Sequence, residues 1–573
     1  MANFFEDNED IRFHLDHLDL AEVIALLEDD FAEADRYEYA PRNAEDARDG
    51  YRQVLHMLGE MAAEEIAPLA PEVDEEGARY ENGGVTYAGG TARALELLSQ
   101  ADLMGLTLPR EYEGLNFPTT IYCMAVEMVA RADASLMNVF GLQDIADTIE
   151  EFAEEEIKAQ YLPRFSVGEV TGAMILTEPD AGSDLQAVQV KAEYDEENDL
   201  WRLSGVKRFI TNGCADVSLV LARSEPGTTD GRGLSLFLCE RDETVQIRRI
   251  ENKMGIHGSP TCEIQFNGTK GILIGRRRMG LIRYVMALMN RARLGVACQA
   301  LGIAEAAYNE ALKYSREREQ FRRRIIEFPA VYEMLVNMRV AIQSARTLTY
   351  HTAIVVDMKK GLERQLAKME KPSREIKDRL KYYTGLAGVL TPMTKYVASE
   401  MANRVAYDAV QVHGGTGFMR EFNVERHYRD ARITSIYEGT SQLQVVAAIG
   451  GVLTRTLDPE FDRFAGHSYA PPVRDLVEQV AAARKRLDTV VDAIRERDDR
   501  DFTAFHARRI VDIAVDIYIS YRLLGDAGED ERRQLIARKF VSDAIPRIEM
   551  NATYVLSGDT TTIEAHDKIL EIS

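Results

Sequence analysis

The spacing of apolar residues changes twice along this chain of 573 residues, and these changes limit the folds that it can adopt. Between about 46 and 165, apolar residues recur three and four positions apart, as on one face of a helix. From about 170 to 275 the apolar stretches are short, rich in β-branched or aromatic residues and separated by turn residues, which is typical of strands. Helical spacing returns from 281. We therefore predict a mainly α fold with a central antiparallel β domain.

The chain is too long for one compact core, so several domains are expected. Four long helical segments between 281 and 456 favour packing as a four-helix bundle. Residues 459–472 hold a glycine and three prolines, which indicates a linker. The predicted units are an N-terminal extension at 1–45, an N-terminal α-helical domain at 46–168, a middle β domain at 169–280, a C-terminal helical bundle at 281–456 and an extra helical domain at 473–573.

The N-terminal extension is acidic and has short apolar stretches, so we expect it to pack on the body of the protein. His14 and His17 lie three residues apart and could suggest a metal site. No further ligands are obvious beside them, and a surface helix is the preferred interpretation. We predict no metal site in this protein.

Composition excludes several classes of function. The formal net charge of −25 repels nucleic acid, so any anionic ligand must meet a local cationic site. The five cysteines lie far apart in the sequence, which argues against structural zinc and disulfides and fits a reducing, cytoplasmic location. No apolar run is long enough to span a bilayer.

Residues 436–442 read Ile-Tyr-Glu-Gly-Thr-Ser-Gln and place a lone carboxylate, Glu438, where a charged segment enters an apolar one. Poor solvation there raises the pKa of a carboxyl group towards the range of a general base. Gly439 allows the backbone to approach a ligand closely. The hydroxyl and amide residues that follow begin a helix, whose free N–H groups favour anions. Alone, the stretch also fits an ordinary helix start with an acidic residue near its positive end.

Two stretches in the predicted β domain combine turns with hydroxyl groups. Residues 177–184 read Thr-Glu-Pro-Asp-Ala-Gly-Ser-Asp, which suits hydrogen bonds to a polar ring edge or a phosphate. Phe209 and Thr211 share one face of a strand and can contact one planar ligand together. Asn212 and Gly213 follow as a hairpin signal. Alone, the first stretch also fits a tight turn and the second a half-buried strand.

Two stretches at the ends of predicted helices suit phosphates. Residues 316–321 carry guanidinium groups suited to a pyrophosphate. Residues 411–417 form a glycine-rich loop that allows close approach to a phosphate or an adenine, although it lacks the strand context of a dinucleotide-binding fingerprint. The second stretch also fits a simple helix stop.

Together and in this order, the four stretches around Thr177, Phe209, Gln411 and Glu438 resemble motifs of the acyl-CoA dehydrogenase family of flavoproteins. The resemblance covers about 46 to 455. Residues 254–262 and the helical tail are similar to those of a longer subgroup that includes methylthiopropionyl-CoA dehydrogenases. The resemblance implies FAD as cofactor, an acyl-CoA substrate, an electron-transfer flavoprotein as partner, and a homodimer or homotetramer.

The resemblance also implies roles for single residues. Glu438 would remove the acyl α-proton while the β-hydride goes to flavin N5, and Ala292 stands where some relatives carry their base. The implied FAD contacts are Thr177, Ser183, Phe209, Thr211, Arg318, Gln320, Phe321, Gln411, Gly414, Gly415, Thr440 and Gln442. Those at 318–320 and 411–415 would reach FAD from a neighbouring subunit. The implied substrate contacts are Ser183, Arg293, Tyr437 and Gly439.

Two alternative functions stay open at this point. An acyl-CoA oxidase on the same fold would pass its electrons to oxygen, and the sequence separates it poorly from a dehydrogenase. A DNA-associated flavoprotein of the same superfamily is the second alternative. It is disfavoured because the arginines after 473 alternate with acidic residues and the net charge is −25.

Overall fold

The predicted order of helical, β and helical regions is confirmed by a computed structural model that describes residues 2–528 and 530–572. None of the helices in these two ranges is long and apolar enough to cross a bilayer.

The N-terminal region is helical apart from one short hairpin that the apolar spacing does not predict. Its helices are α1 (Glu9–His17), α2 (Ala21–Leu27), α3 (Ala44–Met61), α4 (Ala70–Glu76), α5 (Gly89–Gln100), α6 (Thr119–Ala132), α7 (Ala134–Gly141), α8 (Ile145–Phe152) and α9 (Glu155–Ser166), and the hairpin is β1 (Arg79–Glu81) with β2 (Gly84–Thr86). Helices α1, α3 and α6 share one apolar core, which confirms that the extension packs on the body.

Helix α1 is more deeply buried than the predicted surface helix. The Asn8 side chain accepts hydrogen bonds from the backbone N–H groups of Asp10 and Ile11, which fixes the start of the helix. Asp10 and His14 are both about 1% exposed. The helix lies at the surface with Glu9, Asp16 and His17 exposed, and its other face is buried against ionic partners far along the chain. No cluster of metal-binding side chains occurs in the described ranges.

The middle domain contains seven strands, namely β3 (Gly172–Ile175), β4 (Lys191–Asp195), β5 (Leu200–Thr211), β6 (Val217–Arg223), β7 (Leu234–Glu240), β8 (Val245–Ile250) and β9 (Thr261–Leu273). All pairings are antiparallel except those of β6 with β3 and β4. One face of the sheet packs on α8, α9 and residues 281–288, and the opposite face forms a second apolar core.

The Asn212–Gly213 turn does not join a hairpin, contrary to the local prediction. Strand β5 pairs with β4 and β9, whereas β6 pairs with β3, β4 and β7. Asn212 adopts a φ of 51° and is fully buried, and its side-chain Nδ2 donates a hydrogen bond to the Gly172 carbonyl at 3.0 Å. Asparagine tolerates this left-handed backbone and supplies the buried hydrogen bond, so the dipeptide turns the chain towards another strand.

The bundle contains three long helices and two shorter ones, which are α10 (Met286–Glu317), α11 (Pro329–Ala367), α12 (Arg374–His413), α13 (Val424–Thr434) and α14 (Ser441–Leu453). A small hairpin of β10 (Glu319–Gln320) and β11 (Arg323–Arg324) follows α10. Helix α12 contacts α10, α11 and α14, and it therefore lies at the centre of the bundle.

The remaining helices pack against the bundle. They are α15 (Asp458–Ala465), α16 (Arg474–Arg497), α17 (Arg500–Asp526), α18 (Glu531–Leu556) and α19 (Thr561–Ile569). One continuous apolar core contains Leu390 of α12, Val445 of α14, Val490 of α16 and Ile517 of α17. The extra helices are thus an integral part of the bundle's packing.

Candidate active site

A cavity of about 1430 Å³ lies where the middle domain meets the start of α10 and the junction of α13 with α14. This volume exceeds the roughly 300–1,000 Å³ of an ordinary ligand pocket, so the cavity has room for more than one small group. Nine of the predicted site residues line it, namely Thr177, Ser183, Phe209, Thr211, Arg293, Tyr437, Glu438, Gly439 and Thr440.

Glu438 lies in the turn between α13 and α14, with its backbone in the left-handed region at a φ of 54°. Its carboxylate makes no hydrogen bond or ion pair with any other described residue. Burial raises the pKa of Glu438 to about 7, although Lys395 and Arg293 lower it by attraction. A carboxyl group with this pKa is partly ionised at neutral pH and is therefore suited to accept a proton.

The turn around Glu438 needs a glycine at the next position. Gly439 has a φ of 89°, and a Cβ there would lie 2.7 Å from the Gln444 side-chain nitrogen. That nitrogen donates hydrogen bonds to the carbonyls of Glu438 and Gly439 at 3.0 and 2.9 Å. The Thr440 hydroxyl caps the following helix by accepting a hydrogen bond from Leu443 N–H at 3.4 Å. The close packing fixes the backbone on both sides of the carboxylate.

Lys395 and Arg293 bring positive charge to Glu438 from two helices of the bundle. The Lys395 ammonium group donates a hydrogen bond to the Gly439 carbonyl at 2.7 Å. Arg293 is 8% exposed and donates to Asn290 Oδ1 at 2.9 Å. Arg293 was among the predicted residues, whereas Lys395 was missed. Its only sequence signal is a lysine on the otherwise uncharged face of α12.

Tyr437 is held by two polar side chains that the sequence did not single out. Its hydroxyl group contacts Gln299 Oε1 and lies 3.2 Å from Asn138 Oδ1. Gln299 Nε2 donates to Asn138 Oδ1 at 2.9 Å, and Asn138 in turn donates to Ser259 Oγ at 3.1 Å. This chain of hydrogen bonds fixes the tyrosine ring beside Glu438 and joins α7, α10 and the middle domain.

Phe209 and Thr211 line the cavity from the end of β5, as their shared strand face predicts. Phe209 has a φ of 61° at an irregularity in the pairing with β9, and its ring is 52% exposed. Strained backbone and an exposed aromatic ring together are unusual for a strand and are typical of functional sites. Thr177, on the loop after β3, accepts a backbone hydrogen bond from Arg208 at 3.0 Å and also lines the cavity.

A buried ion pair fixes the loop that carries Thr177. Lys207 and Glu178 lie 2.9 Å apart with almost no exposure, and Lys207 also donates to the Leu176 carbonyl at 2.7 Å. Glu178 accepts hydrogen bonds from the N–H groups of Gln189 and Val190 at 2.7 and 2.9 Å. Sequence reasoning missed Lys207, which tethers this loop two residues before Phe209.

Seven predicted residues lie outside this cavity, at exposed positions. They are Arg318, Gln320, Phe321, Gln411, Gly414, Gly415 and Gln442. Stacking of Tyr314 on His413, with ring centroids 4.3 Å apart, brings the C-terminal ends of α10 and α12 together. The first six residues therefore lie at one end of the bundle, away from the cavity of their own chain. Their predicted role across a subunit interface stays a prediction.

The charge around the cavity differs from that of the whole protein. Five cationic side chains and four carboxylates line it, although the chain as a whole carries a net charge of −25. The five cations are Arg232, Lys253, Arg293, Arg429 and Arg432. The lining is therefore close to neutral, with one more cation than carboxylate, and repels an anionic ligand less than the acidic protein as a whole.

Four domain models match this chain in sequence order. They are described as the acyl-CoA dehydrogenase N-terminal domain at residues 48–169, middle domain at 173–269 and C-terminal domain at 282–449, and as acyl-CoA dehydrogenase C terminal at 459–557. The 3-methylmercaptopropionyl-CoA dehydrogenase of Ruegeria pomeroyi is 33% identical over 84% of this chain and 82% of its own length. The chain belongs to the acyl-CoA dehydrogenase family. The predicted family and its extra C-terminal domain are thus confirmed.

Two solved structures extend the comparison of this acyl-CoA dehydrogenase. A chain from a structure described as an electron transferring flavoprotein of Acidaminococcus fermentans is 33% identical, with a TM-score of 0.60 over 70% of this chain and 96% of that chain. An acyl-CoA dehydrogenase from Bacillus anthracis complexed with FAD has a TM-score of 0.76 over 89% of this chain and 88% of its own. At 23% identity this second likeness is one of fold, and it confirms the predicted fold class.

FAD is the cofactor of the acyl-CoA dehydrogenase family, and the residues around the cavity fit it. The hydroxyl groups of Thr177 and Thr211 suit the polar edge of a flavin ring, and Phe209 offers an aromatic face beside them. The cavity is larger than a flavin ring requires, and Glu438 lines the same cavity.

Proposed function

We propose that this enzyme introduces an α,β double bond into an acyl-CoA thioester, with Glu438 as the base that removes the α-proton. The observation that carries the proposal is a half-buried carboxylate without a direct partner, with a pKa near 7, inside a cavity that offers hydroxyl groups and an aromatic face to a planar ring. When bound, FAD supplies the acceptor for the two electrons and the β-hydrogen that leave the acyl group.

The backbone supports this role for Glu438. Its N–H group donates no hydrogen bond to another residue in the described ranges, so it is available to a ligand. We infer that this N–H polarises the thioester carbonyl, because a fixed donor stabilises the negative charge that develops on the oxygen as the α-proton leaves. The hydrogen bonds from Gln444 to the neighbouring carbonyls keep the donor in place.

The other implied roles complete the proposal. Thr177, Ser183, Phe209, Thr211 and Thr440 would hold FAD on the cavity side, and the six residues at the far end of α10 and α12 would hold the FAD of a neighbouring subunit in a homodimer or homotetramer. Gln442 would contact the same cofactor. Arg293, Tyr437 and Gly439, with Ser183, would contact the substrate.

An electron-transfer flavoprotein is the proposed electron acceptor. Support comes from the 33% identical chain in a structure described as an electron transferring flavoprotein of Acidaminococcus fermentans. The relatives reported above favour a dehydrogenase over an oxidase. The five free, buried cysteines fit the proposed cytoplasmic location.

The Glu438→Gln variant tests the proposal. Glutamine keeps the shape and the backbone N–H but lacks the basic lone pair, so FAD and acyl-CoA binding should persist while flavin reduction slows about 10²–10⁴-fold. Anaerobic stopped-flow absorbance with a panel of acyl-CoA thioesters measures the step and also identifies the acyl group. Glu421→Gln, at an exposed position in the loop before α13, is the matched control. Flavin reduction at the unmodified rate in Glu438→Gln would refute the assignment.

A further inference from the structure

Lys395 is a buried lysine without an ion-pair partner. Its side chain is fully buried in the middle of α12, and no carboxylate of the described residues forms an ion pair with it. Lysine is almost never fully buried unless it is paired, because removing its charge from water is costly. Burial accordingly lowers the pKa of Lys395 to about 8, so at neutral pH the group still carries its charge. A buried charge of this kind destabilises the bundle core, so it calls for a functional explanation.

The single side-chain hydrogen bond of Lys395 goes to the turn that carries Glu438. The ammonium group donates to the Gly439 carbonyl at 2.7 Å. Glu438 and Gly439 both have positive φ values, of 54° and 89°. Left-handed backbone at a non-glycine residue is strained and persists only where surrounding contacts impose it. Lys395 from α12 and Gln444 from α14 supply those contacts.

The charge of Lys395 also acts on the carboxylate itself. Lys395 is the largest attractive influence on Glu438, followed by Arg293 from α10. Glu400, one turn further along α12, and Arg293 are the other charged groups that act on Lys395. A cation that attracts the carboxylate without bonding to it favours ionisation while leaving both carboxylate oxygens free to accept a proton.

We propose that Lys395 is a positioning residue of the reaction, whose buried ammonium group anchors the Glu438–Gly439 turn and attracts the Glu438 carboxylate. The inference rests on the proposed function, since it gives Lys395 a role through the base. Lys395 does not line the cavity in the described structure, so the proposed role acts through the turn.

The Lys395→Met variant separates this role from simple packing. Methionine keeps the length and apolar stem of the side chain but removes the charge and the hydrogen bond. The pH midpoint of flavin reduction should rise by about one unit, because losing a nearby cation disfavours the carboxylate. Amide hydrogen exchange, measured by mass spectrometry on a peptide spanning 436–442, should accelerate because the turn loses one of its two anchors.

Gln444→Leu is the matched control, because it removes neutral hydrogen bonds from the Glu438 carbonyl and from the Gly439 carbonyl that Lys395 also contacts. It should accelerate exchange in the same peptide and leave the pH midpoint unchanged. If Lys395→Met does not fold, Lys395→Gln replaces it in both measurements.

Two results would overturn the inference: an unchanged midpoint in the lysine variant, or an equal shift in Gln444→Leu. The Glu438→Gln assay distinguishes this outcome from failure of the proposed function. If that variant reduces flavin normally, the base itself is misassigned and the inference about Lys395 is rejected with it.

Discussion

At the scale of single residues, Glu438 shows how one carboxylate acquires the pKa of a base. Burial raises the pKa of Glu438, and two cations that do not bond to the carboxylate lower it. Neither influence alone gives a useful base, because full desolvation leaves the group protonated and a direct ion pair occupies its oxygens. The balance between them depends on Lys395 and Arg293, which lie 43 and 145 positions before Glu438 in the chain.

The rate of flavin reduction should therefore rise with pH through about 7 and level off above it. Only the ionised carboxylate accepts the α-proton, and Glu438 has a raised pKa of about 7, so the active fraction grows as pH increases. Anaerobic stopped-flow measurements between about pH 5.5 and 8.5 with saturating acyl-CoA give the midpoint. Burial also raises the pKa of Asp430 to about 7, so a midpoint near 7 could come from either carboxyl group. If Glu438 is the source, the Asp430→Asn variant should keep the same midpoint. A rate that does not change across this range would contradict the assignment.

At the scale of secondary-structure elements, a buried ionic network joins parts of the chain that lie far apart. Asp10 of α1 accepts hydrogen bonds from Arg532 at 2.9 Å and from Arg533 at 3.0 Å, both on α18. Arg346 of α11 is fully buried and donates to Glu127 of α6 and to Glu305 of α10. The N-terminal extension, the bundle and the extra C-terminal helices therefore meet around shared charges.

Replacing Asp10 with Asn should loosen the extension. The guanidinium groups around Asp10 lower its pKa strongly, against the effect of burial. Removing one charge from a buried pair typically costs about 3–5 kcal/mol, because a partner that stays buried, here Arg533, loses the charge that compensates its own. Thermal unfolding and limited proteolysis of the first 40 residues measure the effect.

Asp16→Asn on the same helix is the control for Asp10→Asn. The partner of Asp16 is Arg52, and both side chains are more than one-third exposed. An exposed pair is worth about 0–1 kcal/mol, so little change is expected. Equal effects of the two substitutions would show that the buried network does not hold the extension.

At the scale of the whole molecule, the extra C-terminal helices cover one side of the bundle, whereas large aromatic side chains are exposed at one of its ends. The extra helices share a continuous apolar core with α11, α12 and α14. At the far ends of α10 and α12, however, Phe321 is 88% exposed and Phe418 is 82% exposed. Large aromatic side chains are enriched at protein interfaces, and exposed apolar patches mark interaction sites. The implied FAD contacts around Arg318 and Gln411 occupy this same region.

We expect light scattering to show a dimer or tetramer, and Phe321→Glu to weaken both assembly and FAD retention. Glutamate removes the aromatic ring that an interface here would bury and requires a charge to be desolvated in its place, which disfavours association. Met550→Glu, on an exposed position of α18 away from this region, should leave mass and flavin content unchanged. A monomeric Phe321→Glu protein that keeps its full FAD content would remove the basis for the roles of Arg318 and Gln411.

The sequence alone determined features that depend on neighbours along the chain. The change of apolar spacing predicted the helical and β regions, because the residues that a helix or a strand buries recur at a spacing characteristic of that element. The short motifs around Thr177, Phe209 and Glu438 identified side chains that line one cavity, because turns and strand ends fix local geometry.

Features that depend on contacts between distant segments could not be read from the sequence. The Asn212–Gly213 turn joins strands that do not pair, Asp10 is buried by arginines more than 500 residues away, and Lys395 reaches the turn after Glu438. Each residue type is ordinary at its position in the sequence. Its burial, its pKa and its partners follow from which elements pack together, since desolvation and charge attraction depend on distance in space rather than along the chain.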